Sequence, residues 1–239
     1  MEHSHDPEDI AKRLENGPSV NYLRDWIYGG IDGAVTTFAI VAGIVGAELS
    51  AGVVLILGMA SVFADGFSMA ASNYSGTKAE HDDFKRIKNI ELRHIQNHPE
   101  GEREEVRQIY ARKGLEGEKL EHMVELVTSR EDMWLEVMLS EEHGITEDLR
   151  SPMRAALATF AAFLICGFVP LIPFILGMQA SATAATIMTG MVFLGIGAAK
   201  SRWSMQSWWM SAAETFIIGM SAAGIAYAIG VGLKLLIQV

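Results

Sequence analysis

Residues 52–74 read GVVLILGMASVFADGFSMAASNY, and residues 78–96 continue with KAEHDDFKRIKNIELRHIQ. The first stretch contains one charged residue, Asp65, whereas nine of the 19 positions in the second are Asp, Glu, Lys or Arg. About 20 consecutive apolar residues are what a helix needs to cross the hydrocarbon core of a bilayer. The pattern therefore predicts a membrane-spanning helix that continues into a polar helical segment outside the membrane.

Five apolar runs of this kind occur along the chain, and half of all residues are hydrophobic. They cover residues 27–48, 52–74, 154–177, 180–199 and 212–236. Their length and their hydrophobicity on every face exclude a soluble protein with apolar core helices. We predict an all-α integral membrane protein with five transmembrane helices. The single cysteine, Cys166, excludes a disulfide framework and a cysteine-based metal cluster.

The segment between the second and third runs, residues 78–150, carries 19 acidic and 12 basic residues, which is 31 of the 48 charged positions in the chain. Basic residues also flank the runs on that same side, at Lys12, Arg13, Arg24, Lys200 and Arg202. The positive-inside rule then places the N-terminus and the charged insert in the cytoplasm. We predict four parts: a cytoplasmic N-terminal segment (1–26), transmembrane helices 1–2 (27–77), a cytoplasmic domain (78–150) and transmembrane helices 3–5 (151–239).

Helical periodicity and helix breakers predict four short helices in the insert. The first continues the second span to about residue 96, the second ends near residue 114, and the others cover residues 116–127 and 130–143, with Gly144 as the left-handed residue that ends the last one.

Three pairs of side chains in this insert have the spacing of metal ligands. They are Glu91 with His94, Glu102 with Glu105, and Met138 with Glu142. Residues three or four apart share a helix face, so each pair can present two donors to one ion. Oxygen, imidazole and thioether donors together suit Fe2+, Mn2+ or Zn2+ better than Mg2+ or Ca2+. Acidic helices also show such spacings as solvated faces, so spacing alone leaves both interpretations open.

Asp32 lies early in the first predicted span, and Asp65 lies in the middle of the second. An ionisable group at membrane depth is costly, so it usually faces a cavity, a partner or a transported ion. Ser61, Asp65, Met69 and Asn73 follow at intervals of four and form one stripe. We predict a transport pathway along Asp32, Asp65, Met69 and Asn73. Gly29 with Gly33 allows close helix contact, and Pro170 with Pro173 predicts a kink.

Four motifs together resemble the vacuolar iron transporter family, with a similarity that runs from about residue 22 to the C-terminus. The motifs are Asp32-Gly-Ala-Val-Thr-Thr-Phe-Ala-Ile-Val-Ala-Gly43, Phe67-Ser-Met-Ala-Ala71, Tyr110-Ala-Arg-Lys-Gly114 and Pro170-Leu-Ile-Pro-Phe174. The resemblance implies a five-span homodimer that exchanges Fe2+ for protons and has a cytoplasmic metal-binding domain. The family's intramembrane Asp and Met match Asp32 and Met69. Its domain ligands match Glu91, Glu102, Glu105 and Glu142, with a methionine near Met138.

The chain departs from that family pattern at two positions. His94 stands where the family has a glutamate, which makes the site less anionic and more sensitive to pH. Ser72-Asn73-Tyr74 replaces the Gly-Glu-Tyr of many members, and Asp65 supplies a carboxylate one turn before Met69. These departures leave the proton stoichiometry and the preferred metal open.

The sequence therefore predicts a secondary active transporter, not an enzyme, that exports a divalent transition metal in exchange for protons. Fe2+ is the first choice as substrate and bound ligand, with Mn2+, Co2+ and Zn2+ as alternatives. The expected surroundings are membrane lipid and a second copy of the chain, in a bacterial plasma membrane or a vacuolar membrane, with no nucleic-acid partner. Two alternatives stay open: a membrane-anchored ferritin-like di-iron oxidase, and a metal sensor that does not transport.

Overall fold

The computed structural model describes residues 4–16, 20–146 and 150–237, and these form helices without a β-strand among them. The helices are α1 (Pro7–Asn16), α2 (Leu23–Gly46), α3 (Ala51–Asn97), α4 (Pro99–Arg112), α5 (Gly117–Thr128), α6 (Glu131–Val137), α7 (Pro152–Phe168), α8 (Ile172–Ile175), α9 (Ser181–Lys200) and α10 (Trp208–Ile237). Backbone contacts divide the chain into two compact units, Met1–Ser75 with Arg150–Val239, and Gly76–Leu149.

Five helical segments in the described residues are long and apolar enough to cross a membrane. They are Leu23–Gly46, Ala51–Asn97, Pro152–Ile175, Ser181–Trp203 and Trp208–Leu236. Between α7 and α8 the helix tightens into a 3-10 turn at Val169–Leu171. Proline has no N–H to donate and its ring crowds the preceding turn, so Pro170 and Pro173 account for this irregularity. This irregular segment lies where the kink is predicted.

In the first unit α2 packs against α7, α9 and α10, and small residues let the backbones approach closely. A Cβ atom added at Gly29 would lie 2.3 Å from the carbonyl oxygen of Thr159, and one at Gly33 would lie 2.4 Å from that of Phe163. On α10 a Cβ at Gly230 would lie 2.1 Å from the carbonyl oxygen of Gly43. The predicted role of Gly29 and Gly33 in close helix contact is confirmed, and the contact is made with α7.

Gly33→Ala is expected to destabilise the first unit, because backbone rather than a flexible side chain occupies the space that the new methyl group needs. Overpacking of this kind costs about 1–3 kcal/mol. Thermal unfolding of the full-length protein in detergent measures the loss. Gly195→Ala is the matched control, because a Cβ there has no described atom within 4 Å and α9 should tolerate it. Equal melting temperatures for the two variants would contradict the prediction.

The second unit contains the end of α3 together with α4, α5 and α6, in agreement with the predicted short helices. Its apolar core is formed by Ile95, Val106, Val124, Val127, Trp134, Leu135, Met138 and Leu139. The helix predicted over residues 130–143 is α-helical only in its first part. α6 ends at Val137, and the chain continues as a π-helical turn over Met138–Glu142. Gly144 has φ +65°, as predicted for the residue that ends this helix.

Candidate metal-binding sites

Two glutamates of the second unit are buried where apolar side chains would be expected. Glu91 on α3 is 2% exposed and Glu102 on α4 is 5% exposed. Each lies one helical turn before a core residue, Ile95 and Val106 respectively, so the core-facing stripe of both helices continues into a carboxylate. Oε2 of each glutamate has no hydrogen-bond partner among the described residues. Buried carboxylates without partners are costly unless a proton or a cation joins them.

His94 lies between these two carboxylates. Its Nδ1 atom is 3.7 Å from Oε1 of Glu91 and 3.5 Å from Oε1 of Glu102. With metal–ligand bonds of about 2.1 Å, neighbouring donors around one ion lie about 3.0–3.4 Å apart. The ligand atoms of Glu91, His94 and Glu102 all lie within 4.8 Å of one another. The structure thus brings together three of the predicted ligands in a space that fits one ion.

A second imidazole approaches Glu91, and the sequence analysis did not include it. Nε2 of His143 is 3.0 Å from Oε1 of Glu91 and 3.7 Å from Oε2 of Glu142. Glu91, Glu142 and His143 form a second group of potential ligands that shares Glu91 with the first. A search for ligands three or four residues apart passes over His143, because it directly follows Glu142 at the end of the predicted helix.

The π-helical turn explains how two consecutive residues reach one site. The N–H of His143 donates to the carbonyl of Met138, five residues earlier, at 3.3 Å. A π-turn spreads more residues over each turn than an α-helix, so successive side chains point in more similar directions. Such turns are rare and occur frequently at functional sites.

The remaining predicted ligands of the second unit have different surroundings. Glu105 is exposed, and its charge acts on both Glu102 and Glu142. Met138 is fully buried within the apolar core. Its role as a ligand stays a prediction.

Burial and crowding with like charges change the acidity of this cluster. Burial, followed by repulsion from Glu105 and Glu91, raises the pKa of Glu102 to about 7. Burial, followed by repulsion from Glu105, also raises the pKa of Glu142. Both shifts show that these carboxylates hold protons more tightly than usual when no cation is present.

Metal binding by the full-length protein is expected to weaken as the pH falls through 7. Because the pKa of Glu102 is about 7, this group is mostly ionised at pH 8, whereas at pH 6 a metal ion must displace its proton. This competition alone should lower the affinity for Mn2+ by about tenfold between pH 8 and pH 6. Calorimetric titration at both pH values measures it. Glu102→Gln should reduce the pH dependence, and an undiminished dependence in that variant would contradict the assignment to Glu102.

The raised pKa of Glu102 affects the stability of the metal-free protein in the opposite sense: metal affinity falls as the pH falls, whereas stability falls as the pH rises. A folded-state pKa raised from 4.5 to about 7 means that protonated Glu102 contributes stability, which is lost as the pH rises through that interval. A bound cation would then take over the role of the proton.

In the first unit the two acidic residues of the predicted pathway, Asp32 and Asp65, lie on α2 and α3. The charges of Asp32 and Asp65 interact electrostatically. Ser61 donates a hydrogen bond to the carboxylate of Asp65, and Asp32 and Asp65 are both exposed on the surface of the chain. Met69, one turn after Asp65, is half-buried. A carboxylate pair open to the surroundings of a membrane helix needs water, an ion or another chain beside it.

Asn73, the fourth residue of the predicted stripe, contacts a different acid. Its amide nitrogen donates to Oδ1 of Asp25 at 2.8 Å and to the hydroxyl of Thr159 at 2.7 Å. Asp25 is 2% exposed, and Nη1 of Arg150 lies 3.7 Å from the same carboxylate oxygen. This polar network joins α2, α3 and α7. The sequence analysis passed over Asp25 because it precedes the first apolar run and resembled a polar flank.

The sequence pattern of the VIT family matches residues 23–231 of the chain. A vacuolar iron transporter of Toxoplasma gondii is 32% identical over 238 residues, which cover 95% of this chain and 79% of the relative. Vacuolar iron transporter 1 of Eucalyptus grandis is 33% identical over 208 residues, covering 86% and 84% respectively. The corresponding protein of Arabidopsis thaliana is 31% identical over 210 residues, covering 87% and 84%.

These similarities extend over the apolar helices and the charged segment between them, and they agree with the resemblance found in the four motifs. Together with the long apolar helices, they identify a multi-pass membrane protein. Because the family pattern covers most of its length, the chain belongs to the VIT family.

Proposed function

We propose that this protein exports a divalent transition metal from the cytoplasm in exchange for protons, with Fe2+ as the main substrate and Mn2+ as a second one. The observation that carries the proposal is the pair of buried carboxylates, Glu91 and Glu102, with the imidazole of His94 at ligand spacing from both. The names of the relatives, vacuolar iron transporters, support iron as the substrate.

In this proposal the second unit is a cytoplasmic domain that captures metal. Its ligands are Glu91, His94, Glu102, Glu105, Met138 and Glu142. Partly protonated, closely spaced carboxylates favour a divalent cation, because the cation removes their mutual repulsion. The acidic surroundings also raise the local concentration of cations.

The transmembrane pathway uses Asp32, Asp65 and Met69, with Asn73 next along α3. In a single protomer Asp32 and Asp65 are exposed. Leaving two carboxylates in contact with lipid is costly, so a five-span homodimer in which a second copy covers this face is part of the proposal. The thioether of Met69 adds a softer donor that transition metals accept and Mg2+ does not seek.

Proton coupling follows from the chemistry of a carboxylate in a low-dielectric pathway. Such a group binds a proton or a metal ion, because leaving it with neither exposes an uncompensated charge. Protons that arrive from an acidic compartment therefore displace the metal there, and metal loading on the cytoplasmic side displaces the protons.

Reconstitution into proteoliposomes tests the proposal. With Fe2+ kept reduced and a pH dye inside sealed vesicles, we expect metal entry coupled to proton exit when the imposed proton gradient is directed outward. Metal binding without flux would overturn transport and favour the sensor.

One observation favours the alternative function, a di-iron oxidase: two carboxylate–imidazole groups share Glu91. Oxygen consumption during Fe2+ loading distinguishes it, because a transporter binds Fe2+ without consuming oxygen beyond the background rate.

A further inference from the structure

We infer that His143 is a metal ligand, which with Glu91 and Glu142 forms a second binding position beside that of His94. This inference rests on the proposed capture of metal by the second unit. It adds a residue that neither ligand spacing nor the family resemblance indicated.

The first support is distance. The Nε2 atom of His143 lies 3.0 Å from one carboxylate and 3.7 Å from another. These separations bracket the spacing of about 3.0–3.4 Å between donors that share an ion with bonds of about 2.1 Å. The three ligand atoms also lie within 4.8 Å of one another.

The second support is the state of Glu91. This side chain is 2% exposed, and its Oε1 atom faces the imidazoles of both His94 and His143. Its Oε2 atom is buried and has no hydrogen-bond partner among the residues that the structure describes. A hydrogen bond from His143 alone leaves that oxygen unsatisfied, whereas a cation held by both carboxylate oxygens of Glu91 would satisfy it.

The third support is the local backbone. The side chain of His143 is 30% exposed, so an ion can reach Nε2 while the ring stays partly fixed. The π-helical turn Met138–Glu142 ends at His143, and both Glu142 and His143 reach Glu91 from it.

A second imidazole changes the class of metal that this domain prefers. Sites built from carboxylates alone suit Mg2+, Ca2+ and Mn2+, whereas imidazole suits Fe2+, Co2+ and Zn2+. With His94 and His143 on the same buried glutamate, the domain should discriminate more strongly against Mn2+ than an all-carboxylate site does.

Pulsed EPR of Mn2+ bound to the full-length protein in detergent tests the assignment, because it detects nitrogen nuclei coordinated to the metal. The His94→Gln variant should retain an imidazole coupling, which must then come from His143, and the His94→Gln/His143→Gln double variant should lose it. Loss of the coupling in His94→Gln alone would overturn the inference.

Glutamine at position 143 separates the roles of ligand and hydrogen-bond donor, because its amide can still donate to Glu91. His143→Gln should lower the Co2+ affinity by about tenfold or more, at least as much as the loss of an outer-shell partner. His122→Gln, an exposed histidine on α5, is the matched control and should leave the affinity unchanged. Unchanged Co2+ affinity in His143→Gln would overturn the inference.

These outcomes are independent of the flux assay. If metal binds through His143 and no flux occurs, transport fails while the inference stands. If flux occurs and binding is insensitive to His143, only the inference fails.

Discussion

Asp32→Ala is expected to abolish metal flux in proteoliposomes while leaving metal binding by the second unit unchanged. Asp32 and Asp65 interact electrostatically on neighbouring helices, and in the proposed pathway both exchange protons for metal. Removing Asp32 deletes an anionic ligand and a proton acceptor from a low-dielectric environment, where water cannot replace either role. The expected loss is at least 100-fold in initial rate, since the loss of even an outer-shell partner costs about 10–100-fold.

Two further variants make this result interpretable. Asp32→Asn keeps the shape of the side chain but cannot ionise, so it should also fail to transport, which would exclude a purely steric effect. Glu48→Ala removes an exposed carboxylate just after the end of α2, where it pairs with Lys234, and should transport normally. Normal flux in Asp32→Ala would refute the proposed pathway.

Much of the helical architecture could be predicted from the sequence, because length and hydrophobicity act over many residues at once. The five apolar runs correspond to helices that are long enough to cross a membrane. The prolines at 170 and 173 predicted an irregular segment because proline cannot donate a backbone hydrogen bond, whatever surrounds it. Local signals of this kind depend little on tertiary contacts.

The site was predictable where its ligands share one helix face. Glu91 with His94 is such a pair, and the structure adds Glu102 to it from α4. His143 escaped prediction because its proximity to Glu91 depends on a π-helical turn, which the hydrophobic pattern does not signal. Asp25 escaped for a related reason: its burial results from contact with Asn73, which lies 48 positions further along the chain.

The contrast between Asn73 and Asp65 shows the same limit within one helix. Spacing of four placed both on one stripe of α3. The structure gives them different partners, since Asp65 accepts a hydrogen bond from Ser61 whereas Asn73 donates to Asp25 and Thr159. Periodicity states which residues share a face, but the neighbouring helices decide what each part of that face contacts.

Glu91→Gln is expected to have the largest effect on metal capture, because Glu91 belongs to both groups of ligands. An amide keeps the size of the side chain but loses the charge, so both positions lose their shared anionic donor. We expect the affinity of the full-length protein for Co2+ to fall by about 100-fold or more, as measured by calorimetry, which exceeds typical outer-shell losses. Glu125→Gln on the exposed face of α5 is the matched control and should bind Co2+ normally.

Glu91→Gln should not lower the stability of the metal-free protein, although it weakens metal binding. In the wild type a nearly fully buried carboxylate leaves one oxygen unsatisfied, and replacing a buried ionisable group by a neutral one removes part of that desolvation cost. The melting temperature of Glu91→Gln in the presence of a chelator should therefore equal or exceed that of the wild type, even though the variant no longer captures metal. A marked loss of metal-free stability would instead assign Glu91 a structural role. Weaker binding together with undiminished stability would indicate that the protein retains a costly buried charge for the ion that neutralises it.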